Sequence, residues 1–234
     1  MIGWIDATAG AAGDMLLGAL IDVGVPLSVL QTAVDAVAPE PIRLRREQVV
    51  RGGVAATKCH VDFAPSDTHR PWASIRERLL AADLPDGVRD RALAAFERHA
   101  RAESEARDIA LDDVDFFEVL DSFADIVGVC AGFEHLALES LTVSTIAVGA
   151  RVVAGPPDSL PLPGRVVTRV LRDVPTTAGP MPRGSCTPTG AALLRTLADS
   201  FGPQPPMTVR AEGIGAGTDD PHTHPNVVRL LLGD

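Results

Sequence analysis

The chain has 234 residues, 46% hydrophobic and 22% charged, with 31 acidic against 21 basic side chains and a formal net charge of −10. That length buries roughly 70% of the unfolded chain's surface in a folded domain, and the ordinary apolar fraction argues against disorder. The acidic balance disfavours nonspecific nucleic-acid or anionic-membrane binding, no run of about 18 apolar residues could span a bilayer, and three scattered cysteines cannot form a disulfide framework.

Residues 1–5 are a short apolar strand, without the basic start and long apolar run of a signal peptide, so a cytoplasmic protein is expected. A glycine-containing loop, 6–14, leads into a helix on which Met15, Leu16, Ala19, Leu20 and Val23 recur at helical spacing. Gly24 closes that helix, and Pro26 with Ser28 opens a second one reaching Val37, stopped before Pro39. Two strands, 42–50 and 54–63, surround the turn Arg51-Gly52-Gly53. Helices follow at 72–82 and from Pro85, the latter with an apolar stripe of Val88, Leu93, Phe96 and Ala100. Residues 121–138 read as a buried helix and 141–148 as a β-branched strand. Four prolines make 154–164 irregular, a hinge between sub-halves 1–153 and 154–234 of a single domain. Helices at 165–172 and 187–201, then strands at 207–214 and 226–232, complete a mixed α/β (α+β) fold with a sheet flanked by helices.

Four constellations could carry chemistry. The loop at 9–14 offers glycines for close ligand approach and a helix start that favours anions. Its Asp14 either complements the helix dipole or, facing Asp6, marks a cation or ligand site. At 185–194, Thr187 as cap and Pro188 at the first helical position make a well-formed helix start. Beyond that they leave free amides, two threonine hydroxyls and a Cys186 whose thiol a helix start would acidify. Among the histidines, Cys59 and His60 point to opposite strand faces, His99 and His135 read as structural or exposed, and His69 precedes the helix opened by Pro71. His222 and His224, two apart, could hold one metal ion with a carboxylate, though a solvated loop explains them as well. Asp121 and Asp125 stack one turn apart on a mostly apolar helix, where a core helix needs no acids. Asp121 suits a cap, while Asp125 suits a cation or a buried arginine.

Taken in order, Asp6-Ala7 with Gly10 and Gly13-Asp14-Met15, Arg51-Gly52-Gly53 with Thr57-Lys58, His69-Arg70, Phe116 with Glu118, Asp121-Ser122 and Asp125-Ile126-Val127-Gly128 form a familiar series. Leu160-Pro161-Leu162-Pro163, Thr187-Pro188-Thr189-Gly190, and Gly215-Ala216-Gly217-Thr218 with Pro225-Asn226 continue it. In order and spacing these resemble the N-terminal domain of the LarC family, nickel insertion proteins of nickel-pincer nucleotide cofactor biosynthesis. The resemblance runs nearly end to end. It implies a cytoplasmic, lyase-class protein that inserts nickel into a pyridinium mononucleotide carrying two thiocarboxylates, forming carbon–nickel and sulfur–nickel bonds at the expense of CTP. The family's His-x-His-Glu run is here Asp115-Phe116-Phe117-Glu118, two residues are missing before Asp121, and a further family histidine falls at about Pro157.

On that resemblance the expected catalytic groups are Asp6, Asp14 and Asp125. Gly10, Gly13, Thr187, Thr189 and Gly190 would bind the nucleotide, and His69, Glu118, Asp121, His222 and His224 the metal. Nickel is the expected metal. CTP, with Mg or Mn, would enter only through a further domain or a separate partner chain that carries it. A phosphorylated nucleotide substrate and a second copy of the chain are the other expected partners, with no nucleic acid or membrane. Two alternatives stand beside this. One is a diverged, non-catalytic nucleotide-binding or scaffold paralogue. The other is a magnesium-dependent phosphate-ester hydrolase using Asp6, Asp14 and Asp125.

Overall fold

Strand β1 (Ile2–Asp6) is nearly all apolar because it is buried between neighbours on both sides. In the computed structural model, which describes residues 1–64, 70–116, 119–149, 163–180, 185–221 and 224–234, β1 lies inside a seven-stranded sheet. It pairs parallel with β4 (Ser140–Val143) and antiparallel with β9 (Val227–Gly233). From β9 the sheet continues through β8 (Val209–Ala216) to the long hairpin of β3 (Val54–Phe63) and β2 (Ile42–Arg51), and from β4 to β7 (Ser200–Phe201). Gly52 and Gly53, both at positive φ, make the hairpin turn the sequence signalled.

Helix α1 (Gly13–Asp22) leaves the carboxyl end of β1 through the loop at 7–12 and packs over β3 and β8. Gly24, at φ +112°, ends it, and the Val25 amide donates back to the Leu20 carbonyl at 3.0 Å. The buried α5 (Val119–Leu136) packs against both α1 and helix α2 (Leu27–Val37). Beyond them lie α3 (Trp72–Ala81), α4 (Asp86–Arg107), α6 (Arg165–Val170) and α7 (Pro188–Leu197). Phe96 of α4 is wholly buried, stacked on Trp72 and tilted against Phe123 of α5, so an aromatic cluster joins the helices. One apolar core runs from Ile5 and Leu16 through Phe96 and Ile126 to Leu194 and Leu230.

Two expected elements end differently. The strand read over 141–148 is two, β4 and β5 (Ile146–Ala147), the second paired in a separate small sheet with β6 (Thr176–Thr177). The break falls at Ser144, whose Oγ accepts from the Ala7 amide at 2.9 Å, so a side chain replaces the backbone partner. The helix expected to reach residue 201 stops at Leu197. There the chain turns back to the sheet edge, with the Asp199 amide donating to Leu141 O at 2.9 Å and the Asp199 carboxylate accepting from Leu141 N at 2.8 Å. The Pro-rich stretch over 151–162, with the expected hinge at 153–154, lies outside the described residues.

Candidate functional site

Helix starts and a strand end converge on one cavity of about 720 Å³. Its wall includes Gly13, Asp14 and Met15 of α1, Lys58, Cys59 and His60 of β3, and His99, Glu103 and Arg107 of α4. Phe116, Asp121 and Asp125 at α5, Thr187, Pro188 and Thr189 at α7, and Thr218, Asp219 and Asn226 after β8 complete it. Three stretches the sequence singled out therefore face one space.

The α1 and α7 entries are zipped together by backbone. Ala11 N donates to Ser185 O at 2.9 Å and Thr187 N to Ala11 O at 3.0 Å. Gly10, at φ +111°, sits where any Cβ would overlap the Ser185 backbone, and a Cβ at Gly190 would overlap Ala11. Gly10 and Gly190, expected to bind the nucleotide, thus shape the site without being among the residues that line it. Thr187 caps α7 by accepting from Gly190 N at 3.0 Å, and Ala191 N is taken by Thr187 O. Pro188 has no N–H, so the helix start offers fewer open amides than expected.

Asp125 is 4% exposed, and its Oδ1 has no hydrogen-bond partner among the described residues. Burial first, then the nearby carboxylates of Asp121 and Asp14, hold its carboxyl well above the usual range, with Lys58 acting in the opposite sense. It rests against the first turn of α1, where a Cβ on Gly13 would overlap the carboxylate. Asp14 forms an ion pair with Lys58, whose ammonium also donates to Thr218 Oγ1 at 2.9 Å. Asp6, by contrast, does not line the cavity. It accepts from the Thr8 hydroxyl at 2.6 Å and from Arg229 at 3.3 Å, so it orders the loop and does not join Asp14 and Asp125.

The metal-binding expectations divide. His69, Glu118 and His222 lie outside the described residues. Asp121 lines the cavity, and His224, in the loop before β9, is not among its lining residues. Cys59 and His60 both border the space, yet burial and then the charges of Asp125 and Asp14 push the Cys59 thiol up to about 12. His60 Nε2 lies 2.6 Å from Glu47. Among the described residues no group of three His, Cys, Asp or Glu side chains is placed to hold a metal ion. Cys186 is 6% exposed and its thiol is raised by burial to about 12, against the acidification expected at a helix start.

The sequence reads His99 as structural or exposed, and Lys58 enters only within the family resemblance. His99 is buried against Phe116, ring centroids 4.9 Å apart, and holds the Glu103 carboxyl below the usual range. Lys58 did carry a signal, being the chain's single lysine.

The family model described as "Nickel insertion protein" matches residues 3–234. The chain belongs to the nickel insertion protein family. It is 55% identical, over 98% of its length and 59% of the relative's, to the pyridinium-3,5-bisthiocarboxylic acid mononucleotide nickel insertion protein of Nocardioides sp.. It is 38% identical over 99% of its length to a protein of Syntrophobacter fumaroxidans, and 39% identical over 99% to one of Synechococcus elongatus, each with "nickel insertion protein" in its name. The chain covers 60% of the first of these and 59% of the second, so it spans about three fifths of the curated relatives it matches. No solved structure matches it. Among the described residues no helix is long and apolar enough to cross a membrane. The cavity thus joins the starts of α1 and α7 to the side chains of Asp14, Asp121 and Asp125.

Proposed function

We propose that this chain, acting in the cytoplasm as one domain spanning 1–234, inserts nickel into pyridinium-3,5-bisthiocarboxylic acid mononucleotide. The observation that carries the reading is the cavity shared by Gly13, Asp14, Asp121, Asp125, Thr187 and Thr189, in a chain 55% identical to a protein named for that reaction. The nucleotide phosphate would meet the starts of α1 and α7 with the Thr187 and Thr189 hydroxyls. The carboxylates of Asp14 and Asp121 would steer nickel to the same space, where Asp125 could give up its proton to bind it. Substrate sulfurs would supply the soft donors nickel prefers, with Glu118, His69, His222 and His224 as further ligand candidates. The protein's work is positioning and desolvation, with no protein nucleophile, which suits three thiols buried in the core.

CTP, with its Mg or Mn, would be handled by a further domain or a separate chain corresponding to the remaining two fifths of the relatives. A second copy of this chain is the other candidate partner. The absence of a three-ligand metal cluster among the described residues favours one second reading, a nucleotide-binding or scaffold paralogue that takes up no nickel. Titration of purified protein with nickel and with the mononucleotide near neutral pH separates the two. Uptake of both is expected; nucleotide binding without nickel uptake overturns the insertion reading.

A further inference from the structure

Of 21 lysine and arginine residues, Lys58 alone is lysine. Its side chain is 7% exposed in the cavity wall, ion-paired with Asp14 and donating to Thr218. An ammonium has three N–H donors, so the two contacts it makes among the described residues leave one for a ligand. Its compact charge can pivot between neighbours, which the rigid guanidinium fork of arginine cannot do in the same space. Among the described residues, the cavity wall carries six carboxyl side chains against Lys58 and Arg107. An anionic nucleotide entering alone meets net repulsion, and the buried Lys58 ammonium is already paired with Asp14. A divalent ion that engages Asp14 removes that counter-charge and leaves the ammonium beside the Thr218 hydroxyl, in a wall that also carries Thr187 and Thr189.

We propose that Lys58 anchors the phosphate of the bound mononucleotide, and that Asp14 holds it in reserve until a divalent cation takes the aspartate. The inference rests on the nickel-insertion reading and extends it. It makes nickel and nucleotide binding mutually reinforcing, because each relieves the charge the other leaves exposed.

The chain's amines make the test direct, since Lys58 and the N-terminus are the only primary amines. Nicotinic acid mononucleotide serves as the probe and its dephosphorylated riboside as the control. Nickel is expected to tighten mononucleotide binding to the wild type by roughly tenfold or more, within the usual range of coupling, and to leave the riboside unaffected. Asp14→Asn should bind the mononucleotide without nickel about as well as the nickel-loaded wild type. Lys58→Met should lose the phosphate-dependent part of the affinity. Acylation followed by mass spectrometry should show Lys58 protected by nickel with mononucleotide and not by nickel with riboside. If folded Lys58→Met, checked by circular dichroism, keeps the wild-type difference between nucleotide and riboside, the inference is overturned. Unprotected Lys58 in the saturated wild type overturns it equally, without any variant. A wild type that binds neither nickel nor mononucleotide removes the insertion reading and this inference together, whereas nucleotide binding indifferent to Lys58 removes only this one.

Discussion

Asp125 is placed where its charged form is disfavoured, 4% exposed and facing Asp121 and Asp14. The folded chain therefore keeps a proton that the unfolded chain releases in the ordinary aspartate range. Across the window from that range up to the raised folded value, stability falls as pH rises, by at most about 1.4 kcal/mol per pH unit. Asp125→Asn should flatten this slope and be more stable than wild type at neutral pH, as read by urea unfolding at a series of pH values; parallel slopes would contradict the account. The stacked acids on an apolar helix made Asp125 legible in the sequence. Its neighbour Gly13 was legible as a loop glycine, but not as the gap that admits the carboxylate, because that contact joins residues far apart in the chain. The thiols show the reverse case. Cys186 looked activated from its place before a helix, yet burial raises it, with Cys59 and Cys130, to about 12. At pH 8 only on the order of one thiol in ten thousand would be ionised. Iodoacetamide should leave all three cysteines unmodified in the native protein and label them in urea; rapid native labelling of Cys186 would show the thiol to be acidified by the helix start after all.

At the scale of elements, α1 sets the position of both Gly13 and Asp14, and its seat on the sheet is made by glycines. A Cβ at Gly215 of β8 would overlap the Met15 carbonyl and crowd the Ala19 amide, and one at Gly18 would overlap the Thr57 carbonyl of β3. Helix and strands thus touch backbone to backbone, with no flexible side chain to yield. Gly215→Ala should cost about 3 kcal/mol, the upper end of overpacking, and should also weaken nucleotide binding by displacing α1. A melting temperature and affinity both unchanged would show that α1 has room to move. Helix and strand identities were readable because glycine, proline and apolar periodicity act locally. The early stop of α7 was not, since it depends on Asp199 meeting Leu141 across the sheet, and the split at Ser144 depends on the distant Ala7 amide.

Across the whole molecule, the cavity draws its wall from α1, β3, α4, α5, α7 and the loop after β8. Local motifs could nominate these pieces, but only the sheet order, which places β1 between β9 and β4, brings the first and last parts of the chain together. The proposed single domain should unfold cooperatively across its sheet and its helical layer. Trp4 sits in β1 and Trp72 at the start of α3, both buried, so they report on the sheet and on the helical layer separately. In urea, the fluorescence of single-tryptophan variants Trp72→Phe and Trp4→Phe should each change in step with that variant's own helical circular dichroism. Nickel with mononucleotide at about a hundred times its dissociation constant should shift each variant's whole transition by about 2.7 kcal/mol, because the ligand is held by every layer at once. Transitions that separate, or a ligand that protects one tryptophan's surroundings and not the other's, would mean that the sheet and the helical layer unfold independently and that the site belongs to one of them.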